Sequence, residues 1–197
     1  MILWIWLRAA GIGAYVALFL SGVWGLISST SLVTKRVSKP TGNHFHAVVA
    51  STGLALLALH IVLLVMHEYM PFGFLDVLVP MRDSFRPVAI AFGIVAMYMM
   101  VIVIVSSWAK KRLSKNLWRG IHLLAVPAFM LSLLHGVWAG SDTQRPWMVA
   151  MYAASGLVVL LLVLVRAFTF GYRPPRPAPP AQAKKAMVAA SAPTAAS

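Results

Sequence analysis

The sequence predicts an all-α integral membrane protein, a bundle of five transmembrane helices. Three observations lead there. Of the 197 residues, 60% are hydrophobic and only 11% are charged, against about 25% charged in an ordinary soluble domain. Mean hydropathy is +0.83. Five apolar segments without an acidic or basic residue recur along the chain, and every lysine and arginine lies outside them.

The first segment, Ala9–Ile27, could be mistaken for a secretion signal. However, Met1–Leu7 holds no basic residue, Arg8 interrupts the apolar run, and no A-x-A site follows, so a retained helix is predicted. The others are His46–Met66, Val88–Val105, Gly120–Trp138 and Trp147–Val165. Each is near the ~20 residues a spanning helix needs. Inside lipid the backbone has no water to bond with, so helix is the expected local structure. Between the second and third segments, Phe72–Val79 is too apolar for a free loop and too short to span. It predicts an interfacial or re-entrant segment capping one end of the bundle. From Tyr172 the chain is rich in proline and alanine. The expected organisation is therefore a membrane domain over residues 1–172 and a disordered Pro/Ala-rich cytoplasmic tail over 173–197.

The formal net charge is +13. Such an excess would suit nucleic acid, but its confinement to the loops points to membrane topology and lipid contact instead. Thirteen of the seventeen basic residues fall on one side: Lys35, Arg36 and Lys39 after helix 1, Lys110, Lys111, Arg112, Lys115 and Arg119 between helices 3 and 4, and Arg166, Arg173, Arg176, Lys184 and Lys185 after helix 5. Arg8, Arg82, Arg86 and Arg145 fall on the other, with all four acids. The positive-inside rule puts the N-terminus outside and the C-terminus in the cytoplasm, for a multi-pass protein of the inner (plasma) membrane. Trp108, Trp118, Trp138 and Trp147 sit at the segment ends, as an aromatic belt would. The absence of cysteine removes iron–sulfur clusters and thiolate metal sites.

Chemistry is carried by histidines. His46 and His60 are fourteen residues apart on helix 2, and His122 and His135 thirteen apart on helix 4. These separations are about 21 and 20 Å along a helix, one ligand per leaflet. Fourteen residues fall about 40° short of four turns, so His46 and His60 share a face. Thirteen fall about 140° short, and Pro127 between the second pair predicts a kink that re-aims one end. Both helices run in the same sense, which matches His46 with His122 and His60 with His135. Two leaflet-matched pairs suggest two haems clamped between helices 2 and 4, since neutral imidazole suits an axial position on iron. Lys39 and Arg119 at the inner rim, and Arg82 and Arg86 at the outer, could pair with haem propionates, although for any one of them ordinary membrane-boundary charge is the commoner role. His44 points about 160° away from His60 and reads as interfacial, whereas His67 shares the face of His60 at the outer surface. No serine, acid or thiol is arranged as a nucleophile with its base, and Gly11 and Gly13 form no nucleotide fingerprint because no strand precedes them.

HAVVASTGLALLALH, the loop FGFLDVLVP followed by FRPVAIAFG, and LWRGIHLLAVPAFMLSLLHGVWAGSDT together resemble the ferric reductase-like transmembrane domain family over nearly the whole chain before the tail. The resemblance implies two b-type haems on His46, His60, His122 and His135. NADPH oxidases and eukaryotic ferric reductases share this core but append a cytoplasmic flavin and nicotinamide domain, for which the tail is far too short. A separate reductase or quinol is thus the implied donor, as in the similar bacterial relatives that feed a periplasmic methionine sulfoxide reductase. The expected function is electron transfer from the cytoplasmic side to an outside acceptor, ferric iron or an exported flavoprotein, as an oxidoreductase component. The alternative is a redox-silent membrane anchor or transporter subunit whose histidines make only interhelical hydrogen bonds.

Overall fold

A computed structural model describes residues 2–29, 38–68, 72–82 and 85–169. The loop charges Lys35 and Arg36, the Lys39 side chain, Asp83 and the tail from Tyr172 lie outside the described residues. The elements are α1 (Ile2–Ser29), α2 (Lys39–Val65), α3 (Pro87–Trp108), a 3-10 turn at Lys110–Arg112, α4 (Lys115–His122), α5 (Ala125–Ala139) and α6 (Pro146–Thr169). Among the described residues, five helical spans are long and apolar enough to cross a membrane, with α4 and α5 together making the fourth. The chain is a multi-pass membrane protein.

Local chemistry explains the starts of these helices. Proline stands in the first turn of α2 and α3, where its missing N–H costs nothing. Ser38 caps α2 through Thr41 N, and Ser114 caps α4 through Leu117 N at 3.3 Å. The bundle interior is built from small side chains: Ala10, Ala14, Ala89, Ala91, Ala96, Ala128 and Ser155 are buried. Large aliphatics such as Val62, Val101, Ile102, Leu157 and Leu160 are exposed. This inversion of the soluble pattern is expected where lipid solvates the outside and helices approach through small residues.

α1 packs antiparallel along α2, and α3 packs along α5; α6 closes the bundle against α1 and α5. Tyr15 on α1 bonds Ser155 on α6 at 2.5 Å, and its ring stands 5.4 Å from those of Phe129 and Tyr152. At one end Arg8 pairs with Asp142 (Nε to Oδ2, 2.6 Å), Arg86 donates to the Trp138 carbonyl, and His67 stacks edge-on against Trp4. These contacts gather at one end, the Arg8 end, the residues that the charge pattern assigns to the outside. The opposite end carries Lys110, Lys115 and Arg119.

The fourth span departs from a continuous helix. Pro127 has no N–H for the Leu123 carbonyl, and Val126 N takes that carbonyl at 3.1 Å instead. Leu124 N likewise bonds Ile121 O at 3.0 Å, so the chain tightens to i→i−3 bonding over Leu123–Leu124. The break falls directly after His122, and rotation arithmetic for one straight helix does not apply to His122 and His135.

The segment from Phe72 to Val79 is a run of turns with Phe72 and Val77 buried and Phe74 and Leu75 exposed. Tyr98 OH donates to the Leu78 carbonyl. Tyr98 lies eleven residues into α3, about 16 Å along it, so the loop folds back beside the helix instead of lying over its end. Non-helical backbone at such depth needs protein partners for its polar groups, and the Tyr98 hydroxyl supplies one.

Candidate functional site

Each of the four histidines enters the site from a helix, and three are fixed the same way. His60 Nδ1 lies 3.0 Å from Leu7 O, His46 Nδ1 3.0 Å from Ser21 O, and His135 Nδ1 2.8 Å from Ala89 O. A carbonyl only accepts, so in all three the proton sits on Nδ1 and Nε2 keeps its lone pair for another partner. Ser21 Oγ also lies 3.0 Å from His46 Nδ1.

The His46 and His122 rings come together as the parallel sense of their helices requires, 6.0 Å apart between centroids; His60 and His135 stand farther along the same two spans, on α2 and α5. α2 and α5 do not pack closely, whereas α1 also packs directly on α5. His122 is held differently. It ends α4, stacks on Trp118 at 5.1 Å and 29°, and its buried Nδ1 has no hydrogen-bond partner; neither does the buried Nε1 of Trp118.

Basic residues expected around the site divide. Arg119 lines a cleft of about 310 Å³ with Lys110, Leu113, Lys115 and Trp118, and Lys110 Nζ sits 4.0 Å above the Trp118 ring. Arg82 instead gives its Nε to Asp76 Oδ1 at 2.9 Å. The structure thus places Arg119 on this cleft, three residues before His122 on α4, and engages Arg82 with Asp76 in the loop after α2. Trp118 packs with His122 and Lys110, unlike the exposed Trp108, Trp138 and Trp147. His44 is exposed and His67 is buried.

Sequence reasoning missed the glycines. A Cβ on Gly11 would lie 2.9 Å from His60 Nδ1, one on Gly93 2.8 Å from His135 Nδ1, and one on Gly25 3.5 Å from His46 Cε1. Their signal was present as glycine inside two apolar spans, where it is otherwise a weak helix former. Among the described residues no three His, Cys, Asp or Glu side chains come together as metal ligands; the histidines stand in twos.

No curated protein and no solved structure matches the chain significantly. The family described as ferric reductase like transmembrane component matches residues 10–134, an interval that takes in α1 to the last turns of α5 and three of the four histidines. The chain therefore belongs to the ferric reductase-like transmembrane family, a membership that points to transmembrane electron transfer.

Proposed function

We propose that this chain conducts electrons across the membrane through two b haems, one held by His46 and His122, the other by His60 and His135. The observation that carries the reading is the pairing of four histidines at two depths, three with Nδ1 committed to a main-chain carbonyl and Nε2 left over. Such an Nδ1 bond fixes ring orientation and raises the basicity of the ligating nitrogen. The 6.0 Å between the His46 and His122 centroids is of the order set by two ~2 Å metal–nitrogen bonds plus the ring radii. Haem held by two imidazoles supplies a one-electron iron couple with no open coordination position.

The remaining roles belong to the chain itself. Small residues let the helices close around the histidines, and exposed aliphatics keep water away from them. Lys110, Lys115 and Arg119 give one end a positive cleft, which attracts an anionic donor protein such as a separate reductase; quinol, which is uncharged, would reach the protein from the lipid instead. At the other end the re-entrant loop shapes access for the acceptor, a ferric chelate or an exported flavoprotein. The basic end faces the cytoplasm by the positive-inside rule, which sets the direction outward.

Three interhelical Nδ1 bonds would alone suffice for a redox-silent anchor. That second reading leaves Nε2 of these rings without a use. A visible spectrum of the purified protein, oxidised and dithionite-reduced, separates the two. The electron-transfer reading expects reduced b-type bands and two haems per chain by pyridine haemochrome; a colourless protein overturns it. Direction is tested with haem-reduced vesicles given an impermeant ferric chelate. Fast oxidation is expected in right-side-out vesicles, and oxidation confined to inside-out vesicles would reverse the assignment.

A further inference from the structure

Each of the three locked histidines reaches a carbonyl that lies four residues before a glycine on the same helix: Leu7 and Gly11, Ser21 and Gly25, Ala89 and Gly93. The coincidence has a steric cause. In a helix the carbonyl of residue i already accepts from the N–H of i+4, and Cα–Cβ bonds tilt toward the N-terminus. A side chain at i+4 therefore crowds the carbonyl at i, and a glycine there leaves its second lone pair open to a ring that approaches over that position. The register is equally regular. Leu7 and Ser21 are fourteen residues apart on α1, as are His46 and His60 on the antiparallel α2.

On α3 the same step of fourteen leads from Ala89 and Gly93 to Val103 and Ser107. Here the device is filled. Ser106 Oγ and Ser107 Oγ both donate to Val103 O, at 2.9 and 2.7 Å, and serine stands where the other three positions have glycine. The histidine left over is His122, whose Nδ1 has no acceptor.

We infer that Gly11 and Gly93 are positioning residues that lock His60 and His135 onto main-chain carbonyls, that His46 is locked with room to spare at Gly25, and that His122 is the one unlocked, exchangeable ligand. The inference rests on the two-haem reading above. The outer site, with two locks, keeps its ligands; the inner site, with one, admits an exogenous ligand in place of His122.

The test compares four glycine variants of the full chain. Gly93→Ala and Gly11→Ala put a methyl 2.8 and 2.9 Å from an imidazole nitrogen, so each is expected to hold about one haem in place of two, with the outer one lost. Gly25→Ala, at an ordinary 3.5 Å from His46, is expected to keep both. Gly53→Ala is the packing control: it meets Leu18 at 2.9 Å in the same α1–α2 interface and touches no histidine, so it lowers the melting temperature while the folded protein keeps both haems. Carbon monoxide added to dithionite-reduced protein reads the exchangeable ligand. It is expected to bind His135→Ala, which retains the inner site, and not His46→Ala, which retains the outer. Two haems with an unchanged spectrum in Gly11→Ala and Gly93→Ala would overturn the inference, as would equal, unselective haem loss in Gly53→Ala, or carbon monoxide at the outer site. Wild-type protein without haem would overturn the two-haem reading and this inference with it, an outcome distinct from the others because the glycine comparison starts from a wild type holding two.

Discussion

The His60/His135 and His46/His122 pairs use the same side chains at similar spacing, yet the surrounding backbone treats them differently. At the outer pair both rings donate to helix carbonyls, from α1 and α3, and the helices that carry them are unbroken there. At the inner pair His46 is held by Ser21, while His122 sits on the last turn of α4 beside a break and leans on Trp118. The difference teaches that a ligand's spacing and its orientation are set by different parts of the chain. Spacing belongs to the helix that carries the histidine; orientation belongs to the helix that faces it.

The most direct way to break the comparison is to remove the ligands singly. His60→Ala or His135→Ala is expected to lower haem content from two to about one per chain with the inner haem retained, and His46→Ala or His122→Ala to do the reverse. Pyridine haemochrome stoichiometry checks this, and unchanged content in all four variants would dissolve the distinction between the pairs.

Pro127→Ala sharpens it. The substitution restores an N–H for the Leu123 carbonyl, which favours a continuous helix across Leu123–Leu124. A straight helix would turn His122 about 140° away from the bearing of His135. Loss of the inner haem with the outer one kept is the expected result, read from the same stoichiometry; two intact sites would show that the break does not aim His122.

Smaller effects are expected at the Arg8 end. Arg8→Ala removes the partner of the largely buried Asp142, at a cost of about 2 kcal/mol for a charged hydrogen bond. The melting temperature should fall while both haems stay in the folded fraction. Tyr15→Phe deletes the hydroxyl bonded to Ser155 and should cost about 1 kcal/mol, again by thermal melting. Arg82→Ala should cost less than ~1 kcal/mol, as for most exposed ion pairs. Because Arg82 is committed to Asp76, redox titration should find the outer haem potential unmoved; a clear shift would return Arg82 to a propionate.

Much of the fold was legible because hydropathy and length are sums over neighbouring residues. The five spans and the apolar loop after α2 could be read without knowing what packs on what. So could the matching of His46 to His122, since it follows from two helices running in the same sense. Pro127 was visible as a cause of distortion, but the place of the break was not. A missing N–H frees the Leu123 carbonyl, and only the competing i→i−3 bonds decide where the chain tightens. Arg82 and Arg119 looked equivalent as boundary cations, and what separates them is a local carboxylate on the folded-back loop in one case and an open cleft in the other.

By itself the sequence determined that the chain lives in a membrane, how many times it crosses, which end concentrates the positive charge and which histidines can share a depth. These depend on composition and on the fixed rise and turn of a helix. Only the tertiary structure decided which carbonyl each imidazole meets, why Gly11 and Gly93 carry no side chain, and why His122 stands apart. Those outcomes depend on how closely and in what register two helices lie together, a distance that the absence of a single Cβ sets and that no pattern within one helix records.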